Sequence, residues 1–379
     1  MRILYFSKDY CPHDHRFLAA LAETNHQVFY LRLERGSRRT EERPVPAKID
    51  QIRWEGGDRK IKVSDGPRLL LGLRRVIKRI KPDIIHAGPI QTVGLLAALS
   101  CFRPLLVMSW GFDLMRDVDR GLHWCWATNY VLKQATYFTS DCEATRQKAI
   151  RHGVNPNRTV VFPWGVDLGY FTPEPRVTTV GMSKEFTLLC NRSWEPNYGV
   201  DVLARAFIRV AHGRKDVNLI LLSGGSQEAL LRQILTGGGV IDRVFFGGQA
   251  SFSEIPRYYR KADLFISASH VDGSSVSLME ALACGLPALV SDIPANQEWV
   301  TGGKNGWLFP DGDADALATM ILEIVANREQ LAEVSRAARA VAEVRADWNK
   351  NFPKLLQAYE LALKMNKEQT RVQEIPESP

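Results

Sequence analysis

Short apolar runs that read as buried strands alternate with longer segments of helical periodicity along almost the whole chain, and this alternation confines the fold more than any other feature. Strands separated by helix-length segments are joined by crossovers, which lay them parallel and cover the sheet on both faces. The fold class expected is α/β. In the front half the strand candidates are Arg2–Phe6, Gln27–Leu31, Ile84–His86, Leu105–Ser109, Tyr137–Thr139 and Thr159–Phe162. The second half repeats the rhythm with Phe186–Cys190, Asn218–Ser223, Val244–Phe246, Leu264–Ser267 and Ala288–Ser291, and from Ala314 to about Lys364 the pattern is helical. Trp348, Phe352, Leu355, Leu356 and Tyr359 form an apolar stripe there, and the polar tail Glu368–Pro379 is expected to fray. At ~100–200 residues per domain, 379 residues make two domains, with a cleft between them as the natural place for a site. The turn-rich stretch Pro163–Asp167, followed by Pro173 and Pro175, marks the linker and divides the chain into 1–172 and 173–352.

Composition removes other classes. With 45% hydrophobic and 24% charged residues the chain has the mix of an ordinary globular protein. No run reaches the ~18 apolar residues of a membrane span, and the opening MRILYFSKDY reads as a strand rather than a leader. The six cysteines are scattered without a CxxC pair, as reduced thiols of a cytoplasmic protein would be. Charge is uneven: residues 1–170 carry 27 Lys and Arg against 17 Asp and Glu, whereas residues 171–379 carry 22 against 25. The densest basic stretch, Arg32 to Lys81, includes an amphipathic helix over Arg68–Lys81. That helix reads first as core-packed with a solvated cationic side, and second as a contact for an anionic membrane surface. No groove-reading motif points to nucleic acid.

The richest chemistry lies in Ser269–Pro287, where a strand is followed by a small-residue turn and a helix that Gly285 and Pro287 stop. Free amides of a first helical turn and the helix dipole hold a phosphate, and Gly273, Ser274 and Ser275 let it approach. Asp272 and Glu280 would repel that phosphate and fit better beside sugar hydroxyls. The bland alternative is a turn acid and a solvated helix acid.

An acidic residue, seven intervening positions and then Glu280-Ala-Leu-Ala-Cys-Gly-Leu-Pro287 resemble the signature of the retaining glycosyltransferases of family 4. Pro163-Trp-Gly-Val-Asp167 resembles that family's linker strand, and Asn191-Arg192 through Tyr198-Gly199 its phosphate loop. Tyr259-Arg-Lys-Ala-Asp263, Glu298 and Asn305-Gly306 follow in order. The resemblance implies the GT-B fold, two Rossmann-like domains facing across a cleft, with the last helix (about 353–379) returning to the first. It also implies a nucleotide diphosphate sugar as donor, UDP before GDP or ADP, and no cofactor or metal. Glu280 would bind the ribose, Arg192 the pyrophosphate and Asp272 the donor sugar, while amides of Ser275, Val276 and Ser277 would hold the distal phosphate and sugar hydroxyls. Asp272 and Arg192 are the residues given a catalytic part.

Four positions depart from the family pattern. Asp272 stands where Glu is usual, Tyr198 where a Lys is usual, and Trp110-Gly111-Phe112-Asp113 where His-Gly-x-Asp is usual. The Gly-rich first loop is replaced by Tyr10–Arg16, in which Arg16 is a candidate for the missing positive charge. Arg16, Trp110, Gly111 and Asp113 form the expected acceptor side, for a glycan or lipid-linked acceptor in polysaccharide or cell-envelope biosynthesis. A small soluble sugar or sugar phosphate as acceptor is the first alternative, and a nucleotide-sugar-binding protein without transfer the second. His86 reads as a core histidine, His270 equally as structural or sugar-contacting, Asp117-x-Asp119 as a weak metal pattern, and Gly224-Gly225 as a turn.

Overall fold

The structure, a computed structural model, describes residues 1–36, 41–174 and 185–373, so Arg38, Arg39, Pro175 and the last six residues lie outside it. The chain divides into two compact units: Met1–Phe162 joined by the segment from Phe352, and Pro163–Asn351. The boundary falls before Pro163 rather than after residue 172. Val166 pairs with Asp347, Phe171 is buried among second-unit side chains, and Arg339 donates to the Phe171 carbonyl at 2.8 Å. These contacts tie the turn-rich stretch to the second unit.

The first unit is built on a parallel sheet of seven strands: β1 (Arg2–Ser7), β2 (Gln27–Arg32), β3 (Asp50–Gln51), β4 (Ile84–Gly88), β5 (Leu105–Met108), β6 (Tyr137–Ser140) and β7 (Thr159–Val161). Their order is β3-β2-β1-β4-β5-β6-β7, so the direction of winding reverses between β1 and β4. The central strands are buried along their length because helices cover both faces, which is why they read as unbroken apolar runs. The helix Gly66–Ile80 buries Leu69, Leu73, Val76 and Ile80 and leaves Arg68, Arg75, Lys78 and Arg79 exposed. From Phe352 onward the final helix, Trp348–Gln373, belongs to this unit. Leu355, Ala358, Tyr359 and Ala362 are buried, and Tyr359 Oη lies 2.7 Å from His86 Nδ1. The helix continues through Glu368 to Gln373, so the backbone there is wound where fraying was expected.

The second unit repeats the plan with β8 (Phe186–Cys190), β9 (Val217–Leu222), β10 (Val244–Gly248), β11 (Leu264–Ser267), β12 (Ala288–Ser291) and β13 (Gly306–Phe309), ordered β10-β9-β8-β11-β12-β13. Every pairing in both sheets is parallel. Both units are therefore Rossmann-like. Winding reverses between β8 and β11, and in such sheets ligands bind beyond the carboxyl ends of the strands flanking the reversal. Among the described residues no helix is long and apolar enough to cross a membrane.

Candidate donor site

The loops beyond β8 and β11 carry Arg192 and Asp272, 80 residues apart in sequence. Gly199 lets them meet. Its backbone has φ +57°, and a Cβ there would stand 2.0 Å from the Ala268 carbonyl oxygen, so a side chain would push the first loop off the end of β11. The His270 amide then bonds to the Asn197 carbonyl at 3.0 Å.

Arg192 is the hub. Its Nη2 donates to Asp272 Oδ2 at 2.6 Å, and its Nη1 donates to Ser275 Oγ at 2.8 Å and Ser277 Oγ at 3.0 Å. The guanidinium carbon lies 4.3 Å from the centroid of the Tyr198 ring. Tyr198 therefore steadies the arginine by its π face rather than adding a second cation. Burial, the largest single influence, would lower the Arg192 pKa, but Asp272 together with Tyr198, Cys190 and Tyr259 outweighs it and the pKa is raised. Burial raises the Asp272 pKa above its ordinary value despite the attraction of Arg192. Arg192 Nε and Asn191 Oδ1 are buried with no partner among the described residues.

Ser275 caps the helix Val276–Ala283, with Oγ accepting from the Leu278 amide at 3.4 Å. Ser274 is turned inward, its Oγ accepting from Trp299 Nε1 at 3.1 Å, which pins the turn. The Gly273 amide donates to Asp272 Oδ1 at 3.0 Å. One turn into the helix, Glu280 is half-buried, and its Oε2 accepts from the Tyr259 hydroxyl at 2.8 Å. Tyr259 also accepts from Asn191 Nδ2 at 2.6 Å, and burial together with Glu280 keeps its phenol protonated. Tyr259 and Asn191 thus link the Glu280 carboxylate to the Arg192 loop. Both stood in the quoted motifs, but nothing in their spacing assigned them this role.

The structure brings together Arg192, Tyr198, Asp272, Gly273, Ser274, Ser275, Val276, Ser277 and Glu280 in the second unit, and Trp110, Gly111 and Asp113 on one turn of the first. Arg16 is half-buried on the neighbouring helix Pro12–Ala22. Asp113 is not exposed toward an acceptor: it is fully buried. It accepts from Ser109 Oγ at 2.6 Å and from the amides of Leu114 at 3.0 Å and of Ile90 and Trp110 at 3.1 Å. Burial pushes its pKa up to about 6. A carboxylate with four donors binds its own loops together, so its place is structural. Trp110 packs edge-on to His13, with centroids 5.7 Å apart.

Several other candidates are occupied internally. His270 Nδ1 lies 2.7 Å from Asp311, and Asp313 caps the helix Ala314–Ala326. Asp117 and Asp119 pair with Arg116 and Lys148. Gly225 accommodates the Trp194 carbonyl, 2.3 Å from where its Cβ would be. His86 is buried, and burial lowers its pKa to about 3.

Two family models match the chain, that of the group 1 glycosyl transferases over residues 178–341 and that of the glycosyl transferase 4-like domain over residues 14–165. Among curated relatives, a phosphatidyl-myo-inositol mannosyltransferase of Mycobacterium leprae is 30% identical over 203 residues, 53% of each chain. A D-inositol 3-phosphate glycosyltransferase of Geodermatophilus obscurus is 29% identical, over 58% of this chain and 51% of that one. The chain thus spans about half the length of the curated relatives it matches. Among solved structures, HepE of Anabaena in complex with UDP-glucose superposes with TM-score 0.74 at 19% identity, covering 98% of this chain and 100% of that one. Sucrose-phosphate synthase of Thermosynechococcus elongatus gives 0.80 at 17%, covering 95% and 98%. These neighbours share the fold of the chain, and with the two family models together spanning most of its length it belongs to the group 1 glycosyltransferases.

Proposed function

We propose that this chain transfers a hexosyl unit, with retention of the anomeric configuration and without metal or other cofactor, from a nucleotide diphosphate sugar to a glycan or lipid-linked acceptor. The observation that carries the reading is the Arg192 guanidinium at the switch point of the second sheet, held among Asp272, Ser275 and Ser277 at the head of a capped helix. Arg192 and the first-turn amides would take the diphosphate, displacing Asp272 onto the donor sugar, and Glu280 would accept the ribose hydroxyls. The partnerless Arg192 Nε and Asn191 Oδ1 support a polar ligand there, since a buried unsatisfied group costs about 1–3 kcal/mol. The departing phosphate would take the acceptor's proton, while the protein supplies positioning and charge stabilisation.

The donor is taken as a UDP-sugar first. HepE is named in complex with UDP-glucose, whereas a relative in Mycolicibacterium smegmatis is named as GDP-mannose-dependent. Trp110, Gly111 and Arg16 remain the acceptor side, and the exposed cations of Gly66–Ile80 an anionic membrane contact at the cytoplasmic face, in polysaccharide or cell-envelope synthesis. The relative named for D-inositol 3-phosphate favours the second reading, a small soluble phosphorylated acceptor. Product mass spectrometry separates the two.

A thermal-shift screen against UDP, GDP, ADP and their sugars, with chelator present, tests the donor site. Saturation at ~100 times the dissociation constant adds about 2.7 kcal/mol of stability. One base series should stabilise the protein, and Glu280→Ala should lose roughly ten- to a hundredfold in affinity. No shift and no calorimetric heat from any nucleotide would remove the assignment.

A further inference from the structure

The first unit contains a cavity of about 590 Å³ at the β2–β3 edge of its sheet, within the ~300–1,000 Å³ range of ligand pockets. Its walls include Tyr10, Tyr30, Arg32, Arg53 and Trp54 and one exposed acid, Asp58, and apart from Tyr10 none of these has a part in the donor or acceptor assignments above. β2 and β3 run parallel with Tyr30 level with Gln51. Arg32 closes β2 and Arg53 lies two residues beyond the end of β3, and both line the cavity.

The wall around Arg32 is fixed. Its Nε donates to the Gly57 carbonyl at 3.1 Å, and its own carbonyl accepts from the Trp54 indole at 2.8 Å. Gly56 permits this approach, since a Cβ there would stand 2.7 Å from the Trp54 ring and 2.8 Å from the Leu33 carbonyl oxygen. Tyr10 is held by His15 Nδ1 at 2.7 Å and by the Pro44 carbonyl at 3.1 Å. The nearest carboxylate oxygen to Arg32 is that of Asp9, at 3.9 Å. Arg53 is exposed and makes no hydrogen bond or ion pair among the described residues.

Like charges lining one cavity repel, and an anion between them turns that cost into attraction. Guanidinium forks match a carboxylate or phosphate bidentately, and aromatic faces give a sugar ring an apolar surface to lie against. We infer that this cavity is a subsite for an acidic sugar unit, a carboxylate- or phosphate-bearing ring. Arg32 and Arg53 hold its anion, and Tyr10 lies against its ring, while Trp54, packed edge-on to Phe6, braces the Arg32 backbone from the core side. That the ring belongs to the acceptor rests on the proposed transfer; the ligand class does not.

Calorimetry on the full chain tests it with methyl glucuronide, glucose 6-phosphate, methyl glucoside and inorganic phosphate, with UDP titrated into the same samples. At least one acidic sugar should bind, and which one binds separates a uronate from a sugar phosphate. Arg53→Ala, at an exposed position and with its melting curve checked, should weaken that binding at least tenfold, and Arg32→Gln should do the same. Methyl glucoside binding as tightly as the acids would overturn the inference. So would phosphate alone matching glucose 6-phosphate, no probe binding, or both variants binding unchanged. Nucleotide binding that fails while acidic sugars bind defeats the donor site and leaves this subsite standing; the reverse removes the subsite alone.

Discussion

Asp113, fully buried in the first unit, and Asp272, half-buried in the second, are carboxylates close to a reversal of strand order, and both have pKa values raised by desolvation. Their partners differ. Asp113 is enclosed by three amides and a serine hydroxyl from its own loops, whereas Asp272 has one amide, that of Gly273, and one arginine whose remaining bonds go to two serines. Four fixed donors commit a carboxylate to architecture. One amide and one shared cation leave it exchangeable, because an incoming phosphate can take its place on the arginine. The same topology thus yields a closed polar centre in one unit and an open one in the other.

The largest effect should come from the closed centre. Asp113→Ala strands four donors and should cost about 3–5 kcal/mol, read in urea melts as a destabilised protein whose affinity for nucleotide is unchanged at low denaturant. A variant as stable as the parent would erase the contrast.

Asp14 extends the comparison to pH. It is buried on the helix Pro12–Ala22, accepts from Tyr5 Oη at 3.1 Å and from the Cys11 amide at 3.0 Å, and burial pushes its pKa up to about 7. A carboxyl whose pKa is raised on folding holds its proton more tightly in the folded state. Its contribution is therefore greatest at low pH and falls as pH rises toward the folded pKa. The stability of the parent relative to Asp14→Asn should drop by about 1.4 kcal/mol per pH unit between roughly pH 5 and 7 and level off above. A flat difference would place Asp14 in a wetter setting.

The smallest effect sharpens the open centre. Asp272→Asn frees Arg192 from a competing charge, so UDP alone should bind roughly three- to tenfold tighter, a gain of about 1 kcal/mol, while sugar transfer falls. Calorimetry showing weaker UDP binding would mean that Asp272 helps hold the diphosphate rather than competing for it.

Much of this was legible in the sequence, and the gaps have physical causes. Eleven strands showed as apolar runs. β3 did not, because Asp50-Gln51 is polar and is held by register with β2. Nor did β13, a four-residue strand that opens on Gly306. The helix head from Asp272 to Glu280 was readable because its elements are contiguous. The Arg192–Asp272 ion pair was not, since it depends on β8 and β11 being neighbours and on Gly199 closing the gap between their loops. Asp113 misled because a Gly-x-Asp turn looks the same whether its carboxylate faces solvent or its own amides.

The bond between Tyr359 and His86 joins residues 273 positions apart within a unit interrupted by the whole of Pro163–Asn351. A ribosome therefore releases the uninterrupted second unit complete while the first still lacks its last helix. The usual vectorial order, in which the leading domain folds first, is inverted here. Until Leu355 and Tyr359 emerge, the nascent first unit must carry an apolar surface left uncovered by the absence of this helix.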